Sequence, residues 1–272
     1  MKLALLTMLI VIVSLPGQAS AAGDGKTEAV KPTAEGHPLK ELWSGYHYAE
    51  PEVRNMQDSE ADNPAMVLFK KGEGLWKQVD GRANKSCASC HGDAAKSMRG
   101  AAATYPAFFK LTEKPQTLTG RINLCREKFM EARAFPYESE PLLALTIFVK
   151  RQSKGMALAV AEDGPLKPFL DKGKAYYTSR RGQLAISCAG CHEKYAGKRY
   201  RSEKLSQGHA NGFPTYRKSW KTTGSLLKQI NQCLARVRAN PLKAGSDNLA
   251  NLQLYLASKA NGLVVETPAV RE

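Results

Sequence analysis

Two pentapeptides carry the chemistry of this chain: Cys87-Ala88-Ser89-Cys90-His91 and Cys188-Ala189-Gly190-Cys191-His192. C-x-x-C-H is the attachment pattern of c-type haem. Its two cysteines (Cys87 and Cys90; Cys188 and Cys191) form thioethers to the porphyrin, and its histidine (His91; His192) ligates the iron. A single copy in a reducing compartment could be a redox dithiol or half of a zinc site. Two copies, each with its histidine, in a chain that opens like an exported one, argue for two covalently bound haem c groups.

The chain has 6 cysteines and the motifs use four of them. Cys125 and Cys233 remain. Three fates are open to them: a disulfide, which an oxidising compartment permits; burial in the core; or ligation, each as the sixth ligand of its own haem. Methionine and histidine are the usual rivals for that place. No methionine follows Met156, and His209 is the only other histidine near the second motif. In the first half Met130 and Met156 stay available, so elimination points more firmly to Cys233 than to Cys125. A thiolate is soft and anionic, stabilises ferric iron and lowers the haem potential. That suits a simple high-potential electron carrier poorly.

A longer repeat surrounds these residues. Gly72 lies 15 residues before Cys87, and Gly173 lies 15 before Cys188. Tyr105-Pro106 matches Phe213-Pro214, each proline 19 residues before the further cysteine. Ser139 and Ser246 stand as N-caps before runs with helical spacing: Leu142, Leu145 and Val149 in one, Leu249, Leu252 and Leu256 in the other. Pro141 suits a first turn, and Gly155 and Gly262 mark the helix ends. The second copy has seven extra residues between its C-x-x-C-H and its Phe-Pro.

The expected fold is mainly α, with two tandem cytochrome c-like domains and an N-terminal extension. The first domain spans 66–157 and would carry haem 1; the second spans 168–264 and would carry haem 2, with a linker at 158–167 and a tail at 265–272. Residues 22–65 are polar with few periodic apolar positions and read as an extended arm or a partner-binding segment.

Residues 1–21 read as a signal peptide. Lys2 is the positive region, Leu3 to Leu15 an apolar run of about 13 residues, and Ala19-Ser20-Ala21 a small-x-small cleavage site. The run is short for a membrane span. Covalent haem with such a leader points to the periplasm, and nucleic acid is not an expected partner there despite a net charge of +15. The charge is uneven: residues 192–243 hold 12 Lys or Arg against two acids, net +10, while residues 91–134 hold eight against four, net +4. A basic face can dock an acidic redox partner, and it can also concentrate a small anion at the second haem.

Arg180-Arg181-Gly182-Gln183-Leu184, Gly197-Lys198-Arg199, Ser206-Gln207-Gly208 and Tyr216 to Trp220 before Cys233 resemble the SoxA family, the dihaem subunits of SoxAX cytochromes. So do Met98-Arg99-Gly100, Arg121 to Arg126 and Tyr137-Glu138-Ser139-Glu140. The resemblance implies an L-cysteine S-thiosulfotransferase, which joins thiosulfate oxidatively to a cysteine of a SoxYZ-like sulfur carrier. Electrons would pass to a monohaem SoxX-like cytochrome c subunit and on to an acceptor cytochrome c. It also implies that Cys233 is both the haem 2 ligand and the active-site cysteine, carrying a persulfide, and that Cys125 serves haem 1. The family has an arginine four residues before that cysteine, thought to hold the anion. Here Gln229 stands there, with Lys228 adjacent as an alternative contact and Arg236 and Arg238 following. A pure electron-transfer cytochrome and a thiosulfate dehydrogenase forming tetrathionate are the competing functions.

Overall fold

The computed structural model describes residues 28–33, 35–201 and 203–272. The expected signal peptide, 1–21, lies outside them. After two short helices, α1 (Gly45–Tyr48) and α2 (Pro51–Asp58), the first repeat runs α3 (Met66–Lys77), α4 (Cys87–His91), α5 (Ala94–Ser97), strands β1 (Ala107–Phe109) and β2 (Lys114–Gln116), α6 (Leu118–Phe129) and α7 (Glu140–Arg151). The second runs α8 (Lys167–Thr178), α9 (Cys188–His192), β3 (Arg199–Tyr200), β4 (Glu203–Lys204), β5 (Thr215–Arg217), β6 (Thr222–Gly224), α10 (Leu226–Arg236) and α11 (Asp247–Ser258), and β7 (Ala269–Arg271) ends the chain.

In both repeats the first and last long helices cross closely, and the repeated glycine is the reason. A Cβ at Gly72 would lie 2.2 Å from the Ala144 carbonyl oxygen, and one at Gly173 would lie 2.1 Å from that of Asn251. Only glycine lets α3 reach α7, and α8 reach α11, at that distance. Each crossing backs an apolar cluster that receives the haem-attachment segment. Trp76, Leu145 and Phe148 pack with Cys87 and Ala88; Tyr177, Leu252 and Tyr255 pack with Cys188 and Ala189. The attachment segments α4 and α9 are each one short turn, started by Ser86 and Ser187, whose hydroxyls accept from the backbone three residues on.

The helix-capping expectations are met with one difference. Ser246 accepts from the Leu249 N–H, whereas Ser139 occupies the N-cap of α7 without a capping bond. The one-sided spacing of α7 also understates its burial, because every residue from Leu142 to Val149 is buried. The second repeat covers the face that spacing alone assigns to solvent: Lys150 Nζ donates to the Phe213 carbonyl at 2.7 Å. Burial there pushes that amine down to about 8.

Two expectations about the chain ends change. The described part of 22–65 is not a free arm. Leu42, Tyr46, Ala49 and Val53 are buried, Ser44 hydrogen-bonds Glu266, and Asn63 Nδ2 donates to the Pro268 carbonyl at 3.0 Å. Its apolar residues are too sparse to show a period, yet Leu42 packs with Ala103, Leu158 and Leu263, and Ala49 and Val53 pack with Val270. The segment 265–272 is likewise no loose tail: β7 pairs in parallel with β5, which pairs antiparallel with β6, and Val265, Ala269 and Val270 are buried. The linker is packed as well, with Leu158 N–H donating to the Leu263 carbonyl at 2.9 Å.

The helix crossing makes a signed prediction within one helix. Gly72→Ala should destabilise the holoprotein by about 1–3 kcal/mol, because a backbone carbonyl cannot yield easily. Gly74→Ala, two residues on in α3 with nothing within 4 Å of its Cβ position, should stabilise it by about 0.5–1 kcal/mol. Thermal unfolding of the two variants must move in opposite directions.

Candidate functional site

α10 positions the second site by helical phase. Leu227, Ile230 and Leu234 are its buried residues, and they face the core. Gln229, Cys233 and Arg236, at i, i+4 and i+7, share an adjacent face and line a cavity of about 270 Å³ together with Cys188, Cys191 and His192. Leu226, Ile230, Leu252 and Leu256 form its apolar wall. The seven extra residues of the second repeat account for the other wall. They make room for the β3–β4 hairpin, whose Tyr200, Glu203 and Lys204 line the same space.

His192 is oriented from behind. Its Nδ1 donates to the Ser206 carbonyl at 2.8 Å, because a carbonyl can only accept, and this leaves Nε2 as the free nitrogen. Gly208, at φ +76, permits the approach: a Cβ there would lie 2.8 Å from the His192 ring. The imidazole and the Cys233 sulfur are hydrogen-bonding neighbours. Burial lowers the basicity of His192, but its contact with Cys233 and the Ser206 carbonyl more than offset this, and the net direction is up. His209 is engaged elsewhere, with Nε2 at 3.0 Å from Gln207 Oε1.

The two further cysteines, equivalent in the repeat, behave oppositely. Burial acts to raise the Cys233 thiol, yet the hydrogen bond and charge of His192, a hydrogen bond from Gln229 and the Arg236 guanidinium outweigh it, so the thiol sits below its ordinary range. Gln229 Nε2 donates to Cys233 Sγ at 3.3 Å. Cys125 lies near Cys87 and Cys90. There burial dominates over Arg121, and the thiol is pushed up. No disulfide joins Cys125 to Cys233; each stays with its own attachment motif. His91 is exposed and lies beside Trp76, ring centroids 5.7 Å apart.

The residues suit haem c. At the second site two attachment thiols, an imidazole with its tautomer set by a carbonyl, and a further soft sulfur converge on one apolar-walled cavity. Among the described residues no group of three or more His, Cys, Asp or Glu forms a bare-ion site, and no helix is long and apolar enough to cross a membrane.

Lys228 is not part of this arrangement. One residue along α10 turns it about 100° from Gln229, and its Nζ lies 4.7 Å over the Trp220 ring. Two residues missed from the sequence take part instead. Arg217, on β5, donates from Nη1 to Gln229 Oε1 at 2.5 Å. Glu203 sits between Arg217 and Arg236, at 3.3 and 3.2 Å. Arg217 carries a sequence signal, since the ungapped repeat pairs it with Phe109; Glu203 lies next to the hairpin turn and has no counterpart. The basic surface is partly answered by the extension, whose Glu50 lies 3.7 Å from Arg199 and from Lys204 and whose Glu52 lies 3.0 Å from Lys218.

With this geometry in place, the comparisons with known proteins converge. The model of the SoxA/TsdA cytochrome c domain matches twice, at residues 71–158 and 172–265. The chain belongs to the SoxA/TsdA cytochrome c family. The L-cysteine S-thiosulfotransferase subunit SoxA of Pseudaminobacter salicylatoxidans is 41% identical over 247 residues, 90% of this chain and 86% of that protein. The subunit of the same name from Paracoccus pantotrophus is 37% identical over 247 residues, 90% and 84% of the two chains. The crystal structure of SoxXA from P. pantotrophus superposes with a TM-score of 0.83 at 37% identity, covering 86% of this chain and 89% of that one. Each of the two matched segments brackets one attachment motif.

The opposed thiols predict a spectroscopic difference. The ferric holoprotein should show low-spin His/thiolate signals in electron paramagnetic resonance, of which the haem 2 component should be lost in Cys233→Met while that of haem 1 persists. An unaltered spectrum in that variant would remove Cys233 from the iron.

Proposed function

We propose that this chain is the dihaem subunit of a periplasmic L-cysteine S-thiosulfotransferase, joining thiosulfate to a cysteine of a sulfur-carrier protein. The observation that carries the reading is the geometry around Cys233: its half-buried sulfur, with Gln229 Nε2 donating to it at 3.3 Å, shares one cavity with Cys188, Cys191, His192 and Arg236. Cys125, at the equivalent place, has no such support, which favours electron storage or transfer at haem 1. Two relatives bear the name of this enzyme's SoxA subunit.

Haem 1 would be held by Cys87, Cys90, His91 and Cys125, and haem 2 by Cys188, Cys191, His192 and Cys233. A bound haem c supplies a one-electron acceptor beside the sulfur. The protein's own residues do the rest. The Ser206 carbonyl holds the ring proton of His192 on Nδ1 and so fixes its tautomer, Gln229 stabilises negative charge on Cys233, and the basic walls draw a dianion into the cavity. Joining the Cys233 thiolate to the outer sulfur of thiosulfate forms one S–S bond and releases two electrons, which leave to a cytochrome acceptor. The carrier's thiolate then attacks the sulfur bonded to Cys233. The S-thiosulfonate group moves to the carrier and Cys233 leaves as thiolate. No proton is left over when both cysteines react as thiolates.

A monohaem SoxX-like cytochrome is the expected partner, supported by the solved SoxXA complex. Because residues 28–65 pack on their own chain, that partner would meet a built surface instead of a wrapping arm.

Cys233→Ala should abolish thiosulfate transfer to the carrier while haem 1 keeps its attachment and spectrum. Wild-type turnover in this variant would leave only an electron-transfer role, and thiosulfate turnover by the wild type without any carrier would indicate tetrathionate formation. The intact mass of the mature protein should show two haems.

A further inference from the structure

We propose that Arg217 is the cation that binds the substrate anion at Cys233, delivered from strand β5 in place of an arginine on α10. The inference rests on the thiosulfate reading above and deepens it.

The two repeats align without a gap from Pro106 to Cys125 and from Pro214 to Cys233, 19 residues each. Phe109 therefore corresponds to Arg217, and Arg121 to Gln229. In the first repeat these two positions touch: the Arg121 guanidinium lies 4.0 Å over the Phe109 ring. In the second they touch again, through Arg217 Nη1 and Gln229 Oε1 at 2.5 Å. The guanidinium has changed sides of one conserved contact. On α6 it comes from the helix, four residues before the cysteine; at the second site it comes from the facing strand. Arginine at both places would set two like charges against each other, so the exchange is reciprocal.

Arg217 is placed for an anion. Its Nε is anchored to the Glu272 carbonyl at 2.9 Å, which leaves the two terminal nitrogens toward the cavity it lines. Their present partners are a neutral amide oxygen and the Glu203 carboxylate at 3.3 Å. A sulfonate offers two oxygens to that fork, the geometry in which arginine binds oxyanions best. The side chain is 12% exposed, so a charge pair formed there is weakly screened. Gln229 relays the contact onward, with Nε2 on the Cys233 sulfur at 3.3 Å, and so links guanidinium to sulfur through one amide. Glu203 and Arg236 set the fork's orientation from the hairpin side.

The test uses the full-length dihaem protein in complex with its partner cytochrome. Two quantities are read: thiosulfate kinetics with the carrier, and the perturbation of the ferric haem 2 spectrum by thiosulfate alone. Arg217→Met should raise KM about 10- to 100-fold with a smaller change in kcat, and should abolish the spectral response at accessible concentrations. Arg217→Lys should restore part of both. The double variant Arg217→Phe/Gln229→Arg, which copies the first repeat, should bind better than Arg217→Phe alone. If methionine impairs haem loading, Arg217→Gln takes its place. A KM within twofold of wild type in a fully loaded Arg217→Met protein, or a greater loss in Lys228→Ala, overturns the proposal. A double variant no better than Arg217→Phe overturns the exchange of positions. Wild-type protein inert to thiosulfate by both readouts would sink the functional reading itself, whereas wild type and Arg217→Met responding equally would sink only this inference.

Discussion

A half-buried sulfur that is to carry negative charge must be compensated where it sits. Removing a thiolate from water costs several kcal/mol unless neighbours supply hydrogen bonds or positive charge, and around Cys233 those neighbours come from four parts of the chain. α9 provides His192, α10 provides Gln229 and Arg236, β5 provides Arg217 behind Gln229, and the segment after the inserted hairpin provides the carbonyl that orients His192. None of these elements contacts the sulfur because of its own propensity. They are held there by the α8–α11 crossing and the three-stranded sheet. Cys125 shows the outcome without that set: with the same helix position and spacing, burial wins.

The duplication separates scaffold from chemistry. The parts that are the same in both repeats are mechanical: a glycine where two helices touch, a serine that starts the attachment turn, a short hairpin before the cysteine helix. The parts that differ lie at the sulfur. The second repeat gains the β3–β4 hairpin, exchanges an arginine between helix and strand, and is covered by α1, α2 and β7. These changes add walls to the second site, while His91 in the first is exposed.

The covering segments also temper the electrostatics. The excess of basic residues in 192–243 meets Glu50 and Glu52 on the outside and Glu203 within. The carboxylates on the outside are well exposed and contribute little stability each. Their effect is to leave the inward-facing guanidinia as the concentrated positive charge, which focuses an anion toward the cavity more than a uniformly basic surface would.

Much of this was legible in the sequence because it depends on spacing along the chain. The attachment motifs, the helical phase of α7 and α11, the repeated Gly72 and Gly173, and the equivalence of Cys125 and Cys233 are all relations between near neighbours or between copies. The same spacing could not choose between a disulfide and separate sites for Cys125 and Cys233, since that depends on which surfaces the two repeats turn toward each other. Nor could it place residues 28–65 or 265–272, whose few apolar side chains have no period and find their burial only on an already folded domain. Lys228 illustrates the limit at the site itself: adjacency in sequence suggested a substitute cation, but one step on a helix rotates a side chain away, and the Trp220 ring takes it. Arg217, 16 residues from the cysteine, reaches the site because a strand doubles back across α10, and only the tertiary structure makes that distance short.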